Sequence, residues 1–154
     1  MTSSPEAPDS RPKQKSPPVL REDRLSYTPT AGSVRLARRR AERLVAEWGF
    51  PELAWTTALL VSELGSNALL HGCLRDRLFQ VRVVLHPRAL RVEVSDPRGE
   101  RLPAPRVADD DECFGRGLLI VGQLADRWGV EPRDVGKTVY AEIDVLAVAP
   151  PDGS

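Results

Sequence analysis

The chain has 154 residues, enough for one domain with a buried core. Its 22 basic and 22 acidic residues cancel, which argues against a general nucleic-acid or membrane-surface binder, since either would show a basic excess. Cys73 and Cys113 stand far apart with no C-x-x-C or Cys/His ligand spacing, so no zinc site is expected.

Residues 1–24 are rich in proline, serine and charge and offer little to bury; they are expected to form a disordered tail. The opening MTSSPEAPDS carries acid and proline where the apolar stretch of a signal peptide would lie. No apolar run approaches a membrane span, so a cytoplasmic protein is expected. One domain over 25–146 should follow, then a flexible tail at 147–154.

RLSYTPT suggests a first strand. In SVRLARRRAERLVAEWGF, Val34, Ala37, Ala41, Leu44, Val45 and Trp48 recur at helical spacing, with Ser33 as the expected N-cap and Gly49 as the stop. The other face carries Arg35, Arg38, Arg39 and Arg43. Without net charge or interleaved aromatics, it reads as a solvated face or a docking surface for an acidic protein rather than a grip on nucleic acid.

PELAWTTALLVSELGSNALLHG predicts a second helix, opened by Pro51 and closing near Gly72. It is apolar on most sides, yet Glu63, Asn67 and His71 follow one another at intervals of four. At about 3.6 residues per turn they share one face. Burying them without partners would cost a few kcal/mol each. Either that edge meets water, or something polar sits against it.

LFQVRVVLH places Phe79, Val81 and Val83 on one face of a strand, and HPRA reads as a hairpin turn. ALRVEVSD then alternates Leu90, Val92, Val94 and Asp96 against Arg91, Glu93 and Ser95. Asp96 therefore falls on the face turned toward the helices. A carboxylate aimed there needs a donor: the exocyclic amine of a bound purine, or the backbone of the following turn DPRG.

A polar segment runs from Pro97 to about Phe114, after which GRGLLIVGQLADRW predicts a third helix. Gly115 and Gly117 permit close backbone approach at a helix start, where free N–H groups attract phosphate; the same pair also serves a plain turn into a helix. RWGVE and TVYAEIDVL read as closing strands around the turn PRDVGK. VGKT is not a P-loop, because Glu131 stands where the first glycine belongs and a strand pattern follows. Gly136 and Lys137 are then turn residues, with Thr138 at the start of the last strand within reach of a nearby site. The expected fold is a two-layer α+β domain, helices covering one face of a mostly antiparallel sheet.

SELGSNALLHG, a strand ending in Asp96, and GRGLLIV opening a helix occur in an order that resembles the GHKL (histidine-kinase-like) ATPase superfamily with its Bergerat-type ATP-binding fold. The nearest likeness is to bacterial anti-sigma-factor serine/threonine kinases. SELGSNALLHG is similar to their N-box, GRGLLIV to their second glycine box and GKTVYAEI to their terminal strand, over about Tyr27 to Val145. The resemblance implies ATP and Mg²⁺ as cofactors. It gives Asn67 the role of Mg²⁺ ligand, and Glu63 that of general base or orienting carboxylate for a partner's serine hydroxyl. Asp96 would bind adenine, with Thr138 supporting it or an adenine-side water. Gly115 and Gly117, with Arg116 and Leu118, would face the phosphates, and His71 and Gly99 would belong to the same site. The implied partners are a sigma factor, a STAS-domain antagonist and a second copy in a homodimer, with no direct contact to nucleic acid or membrane.

Two departures keep a second reading open. The family's first glycine box reads D-x-G-x-G, whereas here DPRGE puts Arg98 and Glu100 at the glycine positions, with Gly99 between them. Cys113 and Phe114 stand where kinase members carry a basic phosphate contact, leaving Arg116 as the substitute. The alternative is a catalytically inactive module on the same fold that sequesters a sigma factor or antagonist without phosphotransfer.

Overall fold

The computed structural model describes residues 17–71, 78–96, 118–132 and 136–146. Strand β1, Arg21–Tyr27, starts inside the stretch expected to be tail. Its residues are mostly polar and exposed, so no apolar alternation announces it. Pairing to the next strand along its whole length holds it in place, aided by side-chain clamps. Arg40 grips Asp23 through Nε at 2.8 Å and a terminal nitrogen at 2.7 Å, and Arg82 holds Glu22 at 2.6 Å.

Helix α1, Ala31–Glu47, is capped by Thr30 and not by Ser33. Thr30 has extended backbone, and its Oγ1 accepts the Ser33 N–H at 3.0 Å. Ser33 instead lies buried in the first turn, its hydroxyl 2.8 Å from that of Thr28. Gly49, at φ +103°, ends the helix in the left-handed region that favours glycine. Helix α2, Pro51–His71, follows at once and packs along α1. Gly65 of α2 lies against Val34 of α1, where an added Cβ would meet both Val34 methyls at 3.2 Å.

Strands β2, Phe79–Leu85, and β3, Ala89–Asp96, form the expected hairpin, closed by the His86 N–H donating to the Ala89 carbonyl at 2.8 Å. A short helix α3 at 118–124 ends earlier than the sequence pattern suggests. Arg127 and Trp128 already belong to strand β4, Arg127–Pro132, which precedes β5, Lys137–Asp144.

The five strands lie in the order β1-β2-β3-β5-β4, each pair antiparallel. The helices among the described residues cover one face, as expected for the two-layer α+β class. Leu60, Val61 and Leu64 of α2 meet Val83, Val92 and Ala141 of the sheet in the core. Each such fully buried aliphatic contributes roughly 1.5–3 kcal/mol.

The other face of the sheet carries charge. Arg82 joins Glu22 to Glu93, Arg91 joins Glu93 to Glu142, and Arg127 joins Glu142 to Asp144, a chain of ion pairs across all five strands. Arg91 also stacks over Tyr140, 4.0 Å from the ring centre. Burial pushes the Glu142 carboxyl up, but the guanidinium hydrogen bonds of Arg91 and Arg127 outweigh it and hold the group below the usual carboxylate range.

Candidate functional site

Helix α2 runs through the core, and its polar row borders that core. Asn67 is 5% exposed, and its Nδ2 is sealed from solvent with no hydrogen-bond partner. It is the one orphaned buried side-chain atom among the described residues. Such a donor costs about 1–3 kcal/mol when left unmade. Glu63, one turn earlier, is half-buried and makes no hydrogen bond or ion pair with the described residues. His71 is the last residue of α2 and continues the row along the helix.

Asp96 closes β3, directly across the ladder from Lys137 of β5. Strand parity then separates two neighbours. Val139, Ala141 and Ile143 belong to the core, so Lys137 shares the helix side of the sheet. Thr138 falls on the opposite side with Tyr140 and Glu142, and its hydroxyl lies 2.9 Å from that of Ser95, its partner in the ladder. The hydroxyl of Thr138 is thus engaged with Ser95. The helix-side residue beside Asp96 is Lys137, which the sequence pattern leaves in the turn. One step along a strand exchanges faces, and only the pairing register decides which residue faces where.

Leu118 is buried in the core beside Val121, so its side chain is committed to packing and only its backbone is left for a ligand. Gly99, Gly115, Arg116 and Gly117 lie outside the described residues, as do Cys73 and Cys113.

No cluster of three or more His, Cys, Asp or Glu that could hold a metal ion occurs among the described residues. The described residues by themselves would leave most positions around a cation beside Asn67 to other ligands, such as phosphate and water. That is how Mg²⁺ is usually bound, with one or two protein oxygens. An amide with an unmade hydrogen bond and a carboxylate with no partner fit a Mg²⁺-nucleotide, which brings both the cation and the acceptors. No helix of the described residues is long and apolar enough to cross a membrane.

No curated protein matches the chain. A family model for the histidine kinase-like ATPase domain matches residues 27–143. Because that match runs from the last residue of β1 almost to the end of β5, and takes in all of α1, α2, β2 and β3, the chain belongs to the histidine kinase-like ATPase domain family, whose fold implies ATP binding.

Proposed function

We propose that the chain is an anti-sigma-type regulator: a cytoplasmic, Mg²⁺- and ATP-dependent serine/threonine protein kinase that binds a sigma factor and phosphorylates a STAS-domain antagonist. The observation that carries this reading is the sealed, unpartnered Nδ2 of Asn67, one turn after the unpaired Glu63. An asparagine serving structure alone at that depth would be hydrogen-bonded. A nucleotide phosphate supplies the missing acceptor once the groups that seal Nδ2 move aside to admit it.

In this reading Asn67 holds the metal through its amide oxygen. Mg²⁺, when bound, neutralises phosphate charge. Glu63 orients the partner's serine hydroxyl and accepts its proton, for which it must come within hydrogen-bond reach. Asp96 accepts from the amine of the base. Gly115 and Gly117 offer backbone N–H groups to the phosphates, and Arg116 adds charge. The second reading, a module that binds its partner without phosphotransfer, is favoured by DPRGE, where Arg98 and Glu100 replace glycines.

The test is transfer of labelled γ-phosphate from ATP to a co-purified STAS-domain antagonist. Wild type should transfer, and Glu63→Gln should lower the rate about a hundredfold while keeping nucleotide affinity. Nucleotide binding without transfer supports the module. Absence of nucleotide binding at millimolar ATP refutes the kinase and leaves the module.

A further inference from the structure

Strand β4 ends the sheet on the side away from β1, and among the described residues no strand pairs with its free edge. Such an edge presents a row of backbone N–H and C=O groups that a further strand can take up. The two edges of this sheet differ. On the helix side, β1 carries Asp23 in register with Val83, an inward charge gripped by Arg40, which obstructs an added strand. β4 has no such guard. Beside Ala141 and Val139 of the core it places Trp128 and Val130, which stay 40% and 43% exposed. The apolar strip continues onto α3. Trp128 lies against Gly122, its Nε1 3.3 Å from where a Cβ would stand, and Leu119, one turn earlier on that helix, is 63% exposed.

We propose that the β4 edge pairs with the β4 edge of a second copy of this chain, antiparallel about a two-fold axis at Gly129. In a two-fold contact the same patch meets itself, so residues pair symmetrically about the centre. Like faces of the two sheets must match, so the centre falls on a residue and not between two. Centred on Gly129, the ladder spans Arg127 to Glu131. Trp128 of each copy then stands opposite Val130 of the other, an aromatic against a β-branched side chain, which is a favourable cross-strand pair. On the charged face Arg127 stands opposite Glu131, so no like charges meet. Gly129 meets Gly129, and the lack of side chains there lets the two backbones come together beside the rings of Tyr140. Centring on Trp128 shortens the ladder to 127–129, and centring on Val130 draws in Pro132, which has no N–H to give. The strand thus carries its own complement in one register, which selects a second copy over an unrelated strand. This inference does not rest on the kinase reading.

The experiment is analytical ultracentrifugation of the full chain over a concentration series, without nucleotide. Wild type should be dimeric at about 100 µM and dissociate on dilution. Val130→Lys adds an inward charge of the kind that guards β1 and should raise the dimer dissociation constant about tenfold or more. Leu25→Lys, on the β1 edge, should leave it unchanged. Circular dichroism checks that the variants fold. A second measurement reads the register and carries the test if Val130→Lys does not fold. Trp128→Cys and Val130→Cys chains are mixed in equal amounts and oxidised, and disulfide-linked dimers joining the two variants should outnumber those joining like chains severalfold by mass. Wild type oxidised in parallel gives the background from Cys73 and Cys113. A wild type that stays monomeric at that concentration, dissociation by Leu25→Lys and not by Val130→Lys, or cross-links that form without regard to register, each overturns the proposal.

Discussion

Replacing Asn67 with alanine should leave the nucleotide-free protein as stable as wild type or slightly more so, the reverse of the usual result of truncating a buried side chain. Nδ2 is sealed and unpaired, and removing it returns about 1–3 kcal/mol. Alanine in a helix interior gains a further ~0.6 kcal/mol over asparagine. Against these stands the small void left by the amide, on the order of 1–2 kcal/mol. The balance runs from about −0.4 to about 2.6 kcal/mol in favour of the variant. For a domain of this size 1 kcal/mol moves Tm by roughly 2–4 °C. Thermal unfolding without nucleotide should therefore show a Tm unchanged or raised by a few degrees. Mg²⁺-ATP at about a hundred times Kd should stabilise wild type by ~2.7 kcal/mol and leave the variant where it was. The order of the two melting curves then reverses on adding nucleotide. A nucleotide-free Tm lowered by about 4 °C or more would show that Nδ2 is hydrogen-bonded in solution, and the argument for a ligand there would fail.

Other outcomes follow from the charged face of the sheet. Arg91→Met removes the cation shared by Glu93, Glu131 and Glu142 and should cost about 2 kcal/mol, read from the urea midpoint. Glu22, through hydrogen bonds from Arg82 and then Arg24, is held below its ordinary 4.5, and Glu142 is also held below that value as described. A depressed carboxylate stabilises above its unfolded pKa and loses that contribution as pH falls through the folded value. The urea midpoint should thus hold from about pH 7 to about pH 5 and drop below that, less steeply in Arg91→Met. Gly129→Ala would put a Cβ 2.8 Å from the Tyr140 hydroxyl and 3.1 Å from its ring, and should destabilise by about 1–2 kcal/mol. In a Tyr140→Leu background most of that cost should vanish, which a double-mutant cycle measures. Asp23→Ala frees Arg40 and should lower protection of the β1 amides in hydrogen exchange before the global midpoint moves much.

Local rules reached as far as local causes did. Helix α2 and its row of Glu63, Asn67 and His71 were legible because proline opens the helix and an interval of four is a helical repeat. The β2–β3 hairpin was legible because valines alternate on both sides of a proline-containing turn. The start of β1 was not, since Glu22 and Asp23 are held by Arg82 and Arg40 from distant segments. Thr30 and Ser33 are both competent caps, and the phase of the first turn decides between them. The faces of Thr138 and Lys137 differ by one residue, and the ladder with β3 sets them. The sealing of Nδ2 depends on packing around α2 as a whole, which no window of sequence contains.

Gly65 lies between Glu63 and Asn67, and Val34 of α1 occupies the notch it leaves. One residue of travel along a helix is about 1.5 Å, and no such slip is open to α1 unless Val34 climbs onto the larger side chains flanking the glycine. The notch works as a detent. It fixes the register of α1 against the turn of α2 that carries the carboxylate and the amide.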